Sequence, residues 1–347
     1  MRTTPISLKA RRAGAEDRDL LRQLSGHIVG QPQALAQIVP YVQMHEAGLA
    51  PEGRPVGVFL LLGPTGTGKT RTVEVLAQAL HGSDKSLLKV DCGEFQMEHE
   101  VAKLIGAPPG YLGHRETQPM LSQQKLNGVT SDKSSVSLVL FDEIEKAAPS
   151  MARLLLGVLD KAVLRLGDNT TVSFERTIIF LTSNLGAEAM RKQLRPDFGF
   201  ETMVGGRKDS AKKLEGIGMR AVRRKFSPEF VNRIDAVITY QPLGAKALAI
   251  IVDQQIEALE QHINHRLMER AFGIIVSDSA RKFLLLKGTS EEYGARELKR
   301  VILRHVTQPL AAMVSTGEIL PADVVRVEGS EDGLTLKVLG VRSKDER

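Results

Sequence analysis

Gly63-Pro64-Thr65-Gly66-Thr67-Gly68-Lys69-Thr70 sets three glycines, an ammonium and a hydroxyl within eight residues. Glycines in such a turn let backbone N–H groups converge on one anion, and a helix starting at Lys69 adds the positive end of its dipole. Lys69 can then reach the terminal phosphates of a nucleotide, while the Thr70 hydroxyl can ligate a divalent cation. The pattern fits G-x-x-x-x-G-K-[ST] in full, with an apolar strand before it and helical periodicity after it. A chance match in a glycine-rich turn would lack that context.

Two further segments supply what a phosphate loop needs. Leu138-Val139-Leu140-Phe141 ends in Asp142-Glu143. Adjacent carboxylates at the end of a buried strand cost roughly several kcal/mol unless compensated, and Mg2+ with ATP is a fitting compensation. Asp142 then holds the metal ion, and Glu143 polarises the attacking water as general base. Ile178-Ile179-Phe180-Leu181 ends in Thr182-Ser183-Asn184. That puts the Asn184 amide at the same carboxyl edge, within reach of the lytic water or the γ-phosphate. Glu145 and Lys146 read as a solvated helix start with no assigned chemistry.

Positioning these groups takes a scaffold. Val56–Leu62, Leu87–Val90, Val136–Phe141 and Thr177–Leu181 are near-continuous apolar runs separated by helix-like segments. This is the pattern of a parallel α/β sheet covered on both faces. After Tyr240-Gln241-Pro242 the character changes. Leu248, Val252, Ile256, Leu259, Ile263 and Leu267 predict a long amphipathic helix, and residues from about 295 to 314 a second. Val324–Glu328 and Leu334–Leu339 predict a hairpin. The expected division is a basic, flexible N-terminus over residues 1–26, a large α/β domain over 27–240, and a smaller α+β domain over 241–347, mostly helical with a terminal hairpin.

Composition narrows the class. With 347 residues, 42% apolar and 25% charged, the chain is globular and long enough for about two domains. No run approaches the ~20 apolar residues that span a bilayer. The single cysteine, Cys92, excludes an intramolecular disulfide framework. Cytoplasm is the expected location. Arg2, Lys9, Arg11 and Arg12 read as a frayed basic terminus, with an organelle presequence as the alternative. Net charge is +6, and eleven bases against four acids fall between Arg191 and Lys225, which reads as a solvated, mobile surface loop. His262 and His265 lack a third metal ligand and read as surface residues.

Taken in order, the motifs resemble the AAA+ ATPases, more closely the Clp family of protein unfoldases and disaggregases, and most closely the second ATPase module of its ClpB, ClpA and ClpC branches. The resemblance runs from about His27 to the final hairpin, and implies an AAA+ phosphate-loop fold with ATP and Mg2+ as ligands. Ile28-Val29-Gly30-Gln31 resembles the segment that flanks the adenine. Phe230-Val231-Asn232-Arg233-Ile234-Asp235 is similar to the Clp arginine-finger motif, which implies that Arg233 enters a neighbouring subunit's site. Gly294-Ala295-Arg296 resembles the sensor-2 motif, implying that Arg296 reaches ATP, although Glu297 stands where family members usually have proline. Without the resemblance, both arginines read as surface ion-pair residues.

Gly106-Ala107-Pro108-Pro109-Gly110-Tyr111-Leu112-Gly113 should project Tyr111 and Leu112 from a loop, since its glycines and prolines suit neither core strand nor helix. The resemblance implies a ring pore in which this aromatic grips an extended polypeptide, and residues 164–171 are a candidate second pore loop. It further implies a homo-oligomeric, hexameric ring acting on unfolded or aggregated protein. One alternative is a subunit feeding a separate ClpP-type peptidase, with Phe198-Gly199-Phe200 in place of the family's docking tripeptide, or served by an adaptor. Another is an AAA+ switch on nucleic acid, against which stands the lack of an aromatic-interleaved basic groove. With residues 1–26 alone before the core, a first ATPase module, a middle domain and an N-terminal substrate domain are not expected.

Overall fold

The computed structural model describes residues 20–106, 119–194, 207–289, 294–330 and 333–341. It divides into two compact units, with the main break between Gln241 and Pro242.

The first unit carries α1 (Pro32–Glu46), β1 (Gly57–Leu62), α2 (Lys69–His81), β2 (Leu88–Asp91), β3 (Ser137–Asp142) and α3 (Pro149–Lys161). A two-stranded hairpin follows, β4 (Val163–Arg165) and β5 (Thr171–Ser173), then β6 (Thr177–Ser183), α4 (Ala187–Leu194), α5 (Arg207–Lys225), α6 (Pro228–Asn232) and β7 (Ala236–Thr239). Five strands form one sheet in the order β2-β3-β6-β1-β7, with every pair parallel. The four expected apolar runs are four of these strands, and β7 is the fifth.

All six residues of β1 are buried because helices cover both faces of the sheet. Alternate side chains therefore enter different cores. Val58, Leu60 and Leu62 pack with Val139, Phe141, Ile179 and Leu181. Phe59 and Leu61 pack on the other side with Leu138, Leu140, Ile178 and Phe180. There the Phe59 ring stacks on Phe180 at 5.5 Å and takes the edge of Tyr41 at 4.9 Å. Register aligns Leu62 with Ser183 and Asp91 with Asp142, so the strands end together at one carboxyl edge.

The basic stretch read as a mobile loop is corrected in part: Arg207–Lys225 is helix α5. Leu214, Gly218, Val222 and Phe226 recur every fourth residue, and all are buried. That stripe holds the helix down while Lys212, Lys213, Arg220, Arg223, Arg224 and Lys225 are exposed.

The second unit comprises α7 (Ala245–Leu267), β8 (Gly273–Val276), α8 (Asp278–Gly288), α9 (Ala295–Ile302), α10 (Gln308–Thr316), β9 (Asp323–Gly329) and β10 (Leu334–Val341). β9 and β10 form the expected antiparallel hairpin, and β8 adds a parallel third strand beside β9. The long helix buries Leu248, Val252 and Ile263 as its spacing predicts. Between α9 and α10 the chain widens into a π-helical turn over Leu303–Thr307, which ends two residues before Pro309. The wider turn accommodates a residue that has no N–H to give. Val252, Leu298, Val301, Val306, Val325 and Val327 form this unit's core.

Candidate nucleotide site

The phosphate loop leaves β1 at Gly63, whose φ is 146°. A Cβ there would stand 2.6 Å from the Tyr240 carbonyl oxygen, so glycine alone lets the loop pass this close to the end of β7. Gly66 and Gly68 also take positive φ, at 76° and 101°. α2 then starts with no side-chain cap at Gly68 and no acid in its first turn. A helix N-terminus of this kind suits an anion. The Lys69 ammonium donates to Gly63 O at 2.7 Å, Pro64 O at 2.9 Å and Asn184 Oδ1 at 2.9 Å. It is thus tethered at the mouth of the loop, where phosphate oxygens can exchange with carbonyl partners.

Asp142 closes β3. Its Oδ1 accepts from the Thr182 hydroxyl at 2.5 Å and from Thr70 Oγ1 at 3.4 Å, while its Oδ2 pairs with Lys89 Nζ at 3.1 Å. Thr70 and Asp142 therefore juxtapose two hard oxygen donors, a set that fits Mg2+ shared with nucleotide phosphates. Glu143 follows in the left-handed region, at φ 57° and ψ 49°. Its Oε1 accepts from Asn184 Nδ2 at 3.1 Å and its Oε2 pairs with Lys146 Nζ at 2.5 Å. The Asn184 amide thus bridges Lys69 to Glu143, joining the three motifs nominated from sequence.

Glu145 and Lys146 do begin a short helical turn and Lys146 is exposed, as expected, but both also pair with residues of the site. Glu145 Oε1 accepts the Asn184 backbone N–H at 2.9 Å. The Glu143 hydrogen bond and charge raise the Lys146 ammonium's pKa, so it stays charged. Both belong to the tight turn Ile144–Lys146, and the left-handed residue before it could not be read from residue types. Lys89 and Thr182 were likewise missed. A lysine in a short strand beside the acids, and a polar residue ending an apolar strand, were the available signals. Cys92 is buried, and that burial, with the nearby acids adding to it, pushes its thiol pKa up and leaves it inert.

Ile28 is buried among Leu24, Leu35 and Ile38, and Val29 is half-buried. The Gln31 amide donates to Gln241 O at 2.8 Å and accepts its N–H at 3.2 Å, fixing this segment to the end of the unit. Arg233 sits at the C-terminus of α6, half-exposed, with Nε 3.2 Å from Asp160 Oδ1. Asp235, two residues on, accepts the Val58 N–H at 2.8 Å and pairs with Arg54. Arg296 is exposed in the first turn of α9, in the second unit. Leu164 and Leu166 are buried under the β4–β5 hairpin, while Arg165, Asp168, Asn169 and Thr170 are exposed at it. His262 and His265 are exposed on α7, as expected. Tyr111, Leu112, Phe198, Gly199 and Phe200 lie outside the described residues.

A parallel sheet gathering a phosphate loop, tandem acids and a polar strand end at its carboxyl edge defines a phosphate-loop nucleotide-binding module. A family model described as AAA domain (Cdc48 subfamily) matches residues 54–237, and one described as the C-terminal, D2-small domain, of ClpB protein matches residues 243–327. The chain belongs to the AAA+ family, in the group described as AAA domain (Cdc48 subfamily), with a ClpB-type small domain after it.

Chaperone protein ClpB from Rhizobium meliloti (strain 1021) is 38% identical over 339 residues, which is 97% of this chain and 36% of the relative. The protein of that name from Meiothermus ruber is 35% identical over 315 residues, 91% of this chain and 34% of the relative. A solved structure described as "Closed State CryoEM Reconstruction of Hsp104:ATPyS and FITC casein" matches with a TM-score of 0.79 at 29% identity, over 96% of this chain and 53% of that one. The chain spans about a third of the length of these curated relatives.

Proposed function

We propose that this chain is the ATP-hydrolysing module of a protein-remodelling motor, a Clp-type unfoldase or disaggregase working as a homo-oligomeric, hexameric ring in the cytoplasm. The observation that carries the reading is the bridge from Lys69 through Asn184 to Glu143, because it ties a phosphate-binding cation to a carboxylate able to activate water. The loop Gly63–Thr70 and the start of α2 bind the phosphates, and Ile28 and Val29 flank the base. Thr70 and Asp142 would hold Mg2+, which would neutralise charge on the phosphate oxygens. Glu143 takes the proton of the attacking water, and Asn184, hydrogen-bonded to Glu143, holds the lytic water or the γ-phosphate. Arg233 of a neighbouring copy and Arg296 bring permanently charged guanidinium groups to the transferring phosphoryl group. Tyr111 and Leu112 grip the polypeptide.

Relatives named as ClpB chaperones support the reading, as does an Hsp104 reconstruction whose description pairs ATPyS with casein. No described helix is long and apolar enough to cross a membrane.

The test is ATP-dependent loss of fluorescence from a folded reporter bearing an unstructured tail, with hydrolysis recorded alongside. Unfolding that disappears in Tyr111→Ala while hydrolysis persists is the expected result. Absent hydrolysis refutes the site. Hydrolysis without unfolding, both alone and with a ClpP-type peptidase added, refutes the motor.

A further inference from the structure

Thr182, the sixth residue of β6, is 1% exposed, and its hydroxyl serves both acids of the site. Oγ1 donates to Asp142 Oδ1 at 2.5 Å and accepts the Glu143 N–H at 2.9 Å. A hydroxyl has one proton and two lone pairs, so it can do both at once. The two residues that it bonds differ in what they need. Asp142 has two further partners, Thr70 at 3.4 Å on Oδ1 and Lys89 on Oδ2, and the ion pair with Lys89 pulls the carboxylate toward β2. Glu143 holds a left-handed backbone that an L-residue adopts only when its surroundings enforce it. In a continuing strand, adjacent side chains would point to opposite faces. The turn at Glu143 instead keeps Asp142 beside Thr70 while Glu143 meets Asn184.

We propose that Thr182 is a positioning residue that sets both acids through one hydroxyl. It fixes the Asp142 carboxylate opposite Thr70, and it holds the backbone turn that aims Glu143 at Asn184. The inference rests on the reading of Asp142 as the metal-holding acid and Glu143 as the base. Valine at this position keeps the shape of the side chain, orphans the Glu143 N–H and leaves Asp142 to the Lys89 ion pair and the longer Thr70 contact. Serine keeps the hydroxyl.

The experiment compares the full chain with Thr182→Val and Thr182→Ser in three measurements. In steady-state ATP hydrolysis, Thr182→Val lowers kcat about 10- to 100-fold with KM within about 3-fold, and Thr182→Ser stays near the parent. In binding of a fluorescent ADP analogue, Thr182→Val raises the Mg2+ concentration for half-saturation about tenfold, with metal-free affinity unchanged. In hydrogen exchange without metal or nucleotide, the parent's Glu143 amide is protected and becomes at least about tenfold less so in Thr182→Val.

Parental kcat and Mg2+ dependence in Thr182→Val overturn the proposal. So does a loss in Thr182→Ser equal to that in Thr182→Val, which would assign the role to methyl packing. An unprotected Glu143 amide in the parent also overturns it, and this outcome decides the matter even if Thr182→Val fails to fold. A parent that binds nucleotide but never hydrolyses it refutes the functional reading instead, while the exchange measurement still reports on Thr182.

Discussion

Replacing Gly63 by alanine puts a Cβ 2.6 Å from the Tyr240 carbonyl oxygen and 3.0 Å from the Tyr240 Cβ. No side-chain rotation relieves the first contact, because backbone stands on both sides of it. Ordinary packing requires the two segments to part by somewhat less than about 1 Å in an interior with little free space. The φ of 146° adds strain of about 1–3 kcal/mol for any residue with a Cβ. Parting also disturbs the Gly63 carbonyl that receives Lys69. Together these give a destabilisation of about 2–4 kcal/mol. For a unit of this size, each kcal/mol lowers Tm by about 2–4 °C, so Gly63→Ala should lose roughly 5–15 °C.

Gly68→Ala separates strain from contact. Its φ is 101°, yet nothing lies within 4 Å of where its Cβ would stand. Strain alone predicts a smaller loss of about 1–2 kcal/mol. Thermal unfolding followed by circular dichroism without nucleotide measures both variants. A Gly63→Ala chain melting within about 1 °C of the parent, or a Gly68→Ala chain melting below Gly63→Ala, would refute the reasoning.

Asn184→Ala breaks the bridge between Lys69 and Glu143, and steady-state kinetics should show kcat down about 100-fold with KM nearly unchanged. Arg233→Ala should lower ATP turnover at least about 1,000-fold while ADP binding by the chain stays within twofold, as titration with a fluorescent analogue would report. His81, at the end of α2, has its pKa lowered by burial, partly offset by the Val136 carbonyl, and its Nε2 is buried without a partner. The stability that this neutral imidazole contributes is complete above about pH 6.5 and is lost as pH falls from there through the lowered folded value. His81→Asn should therefore flatten the drop in urea midpoint between about pH 7 and 5. An equal drop in the two proteins would remove His81 as its source.

The phosphate loop and the strands around it were legible because their constraints are local. A strand buried on both faces must be apolar throughout, and a turn that curls around phosphate must be glycine-rich. Asp142 and Asn184 could be placed together because each ends such a strand. What stayed hidden depends on register or on a single dihedral. Thr182 meets Asp142 through the pairing of β6 with β3, which aligns residues some forty positions apart. Glu145 and Lys146 reach the site only because Glu143 turns left-handed. α5 was obscured differently. Its buried stripe includes Gly218, where a Cβ would stand 2.8 Å from Met190 Cε, so a residue without a side chain marks the tightest packing of the helix. β8 is four residues long, too short for a periodicity to declare itself.

The order of strands also sets a timetable. β1 lies between β6 and β7, and its first partner is made about 120 residues after it. At about 5–20 residues per second, the ribosome leaves β1 waiting for roughly 6–24 s before β6 exists, and longer before β7. Throughout that interval Val58, Phe59, Leu60, Leu61 and Leu62 form an apolar ribbon with both hydrogen-bonding edges open. A newborn copy of this chain is therefore the sort of sticky, half-made polypeptide on which protein-remodelling machines work.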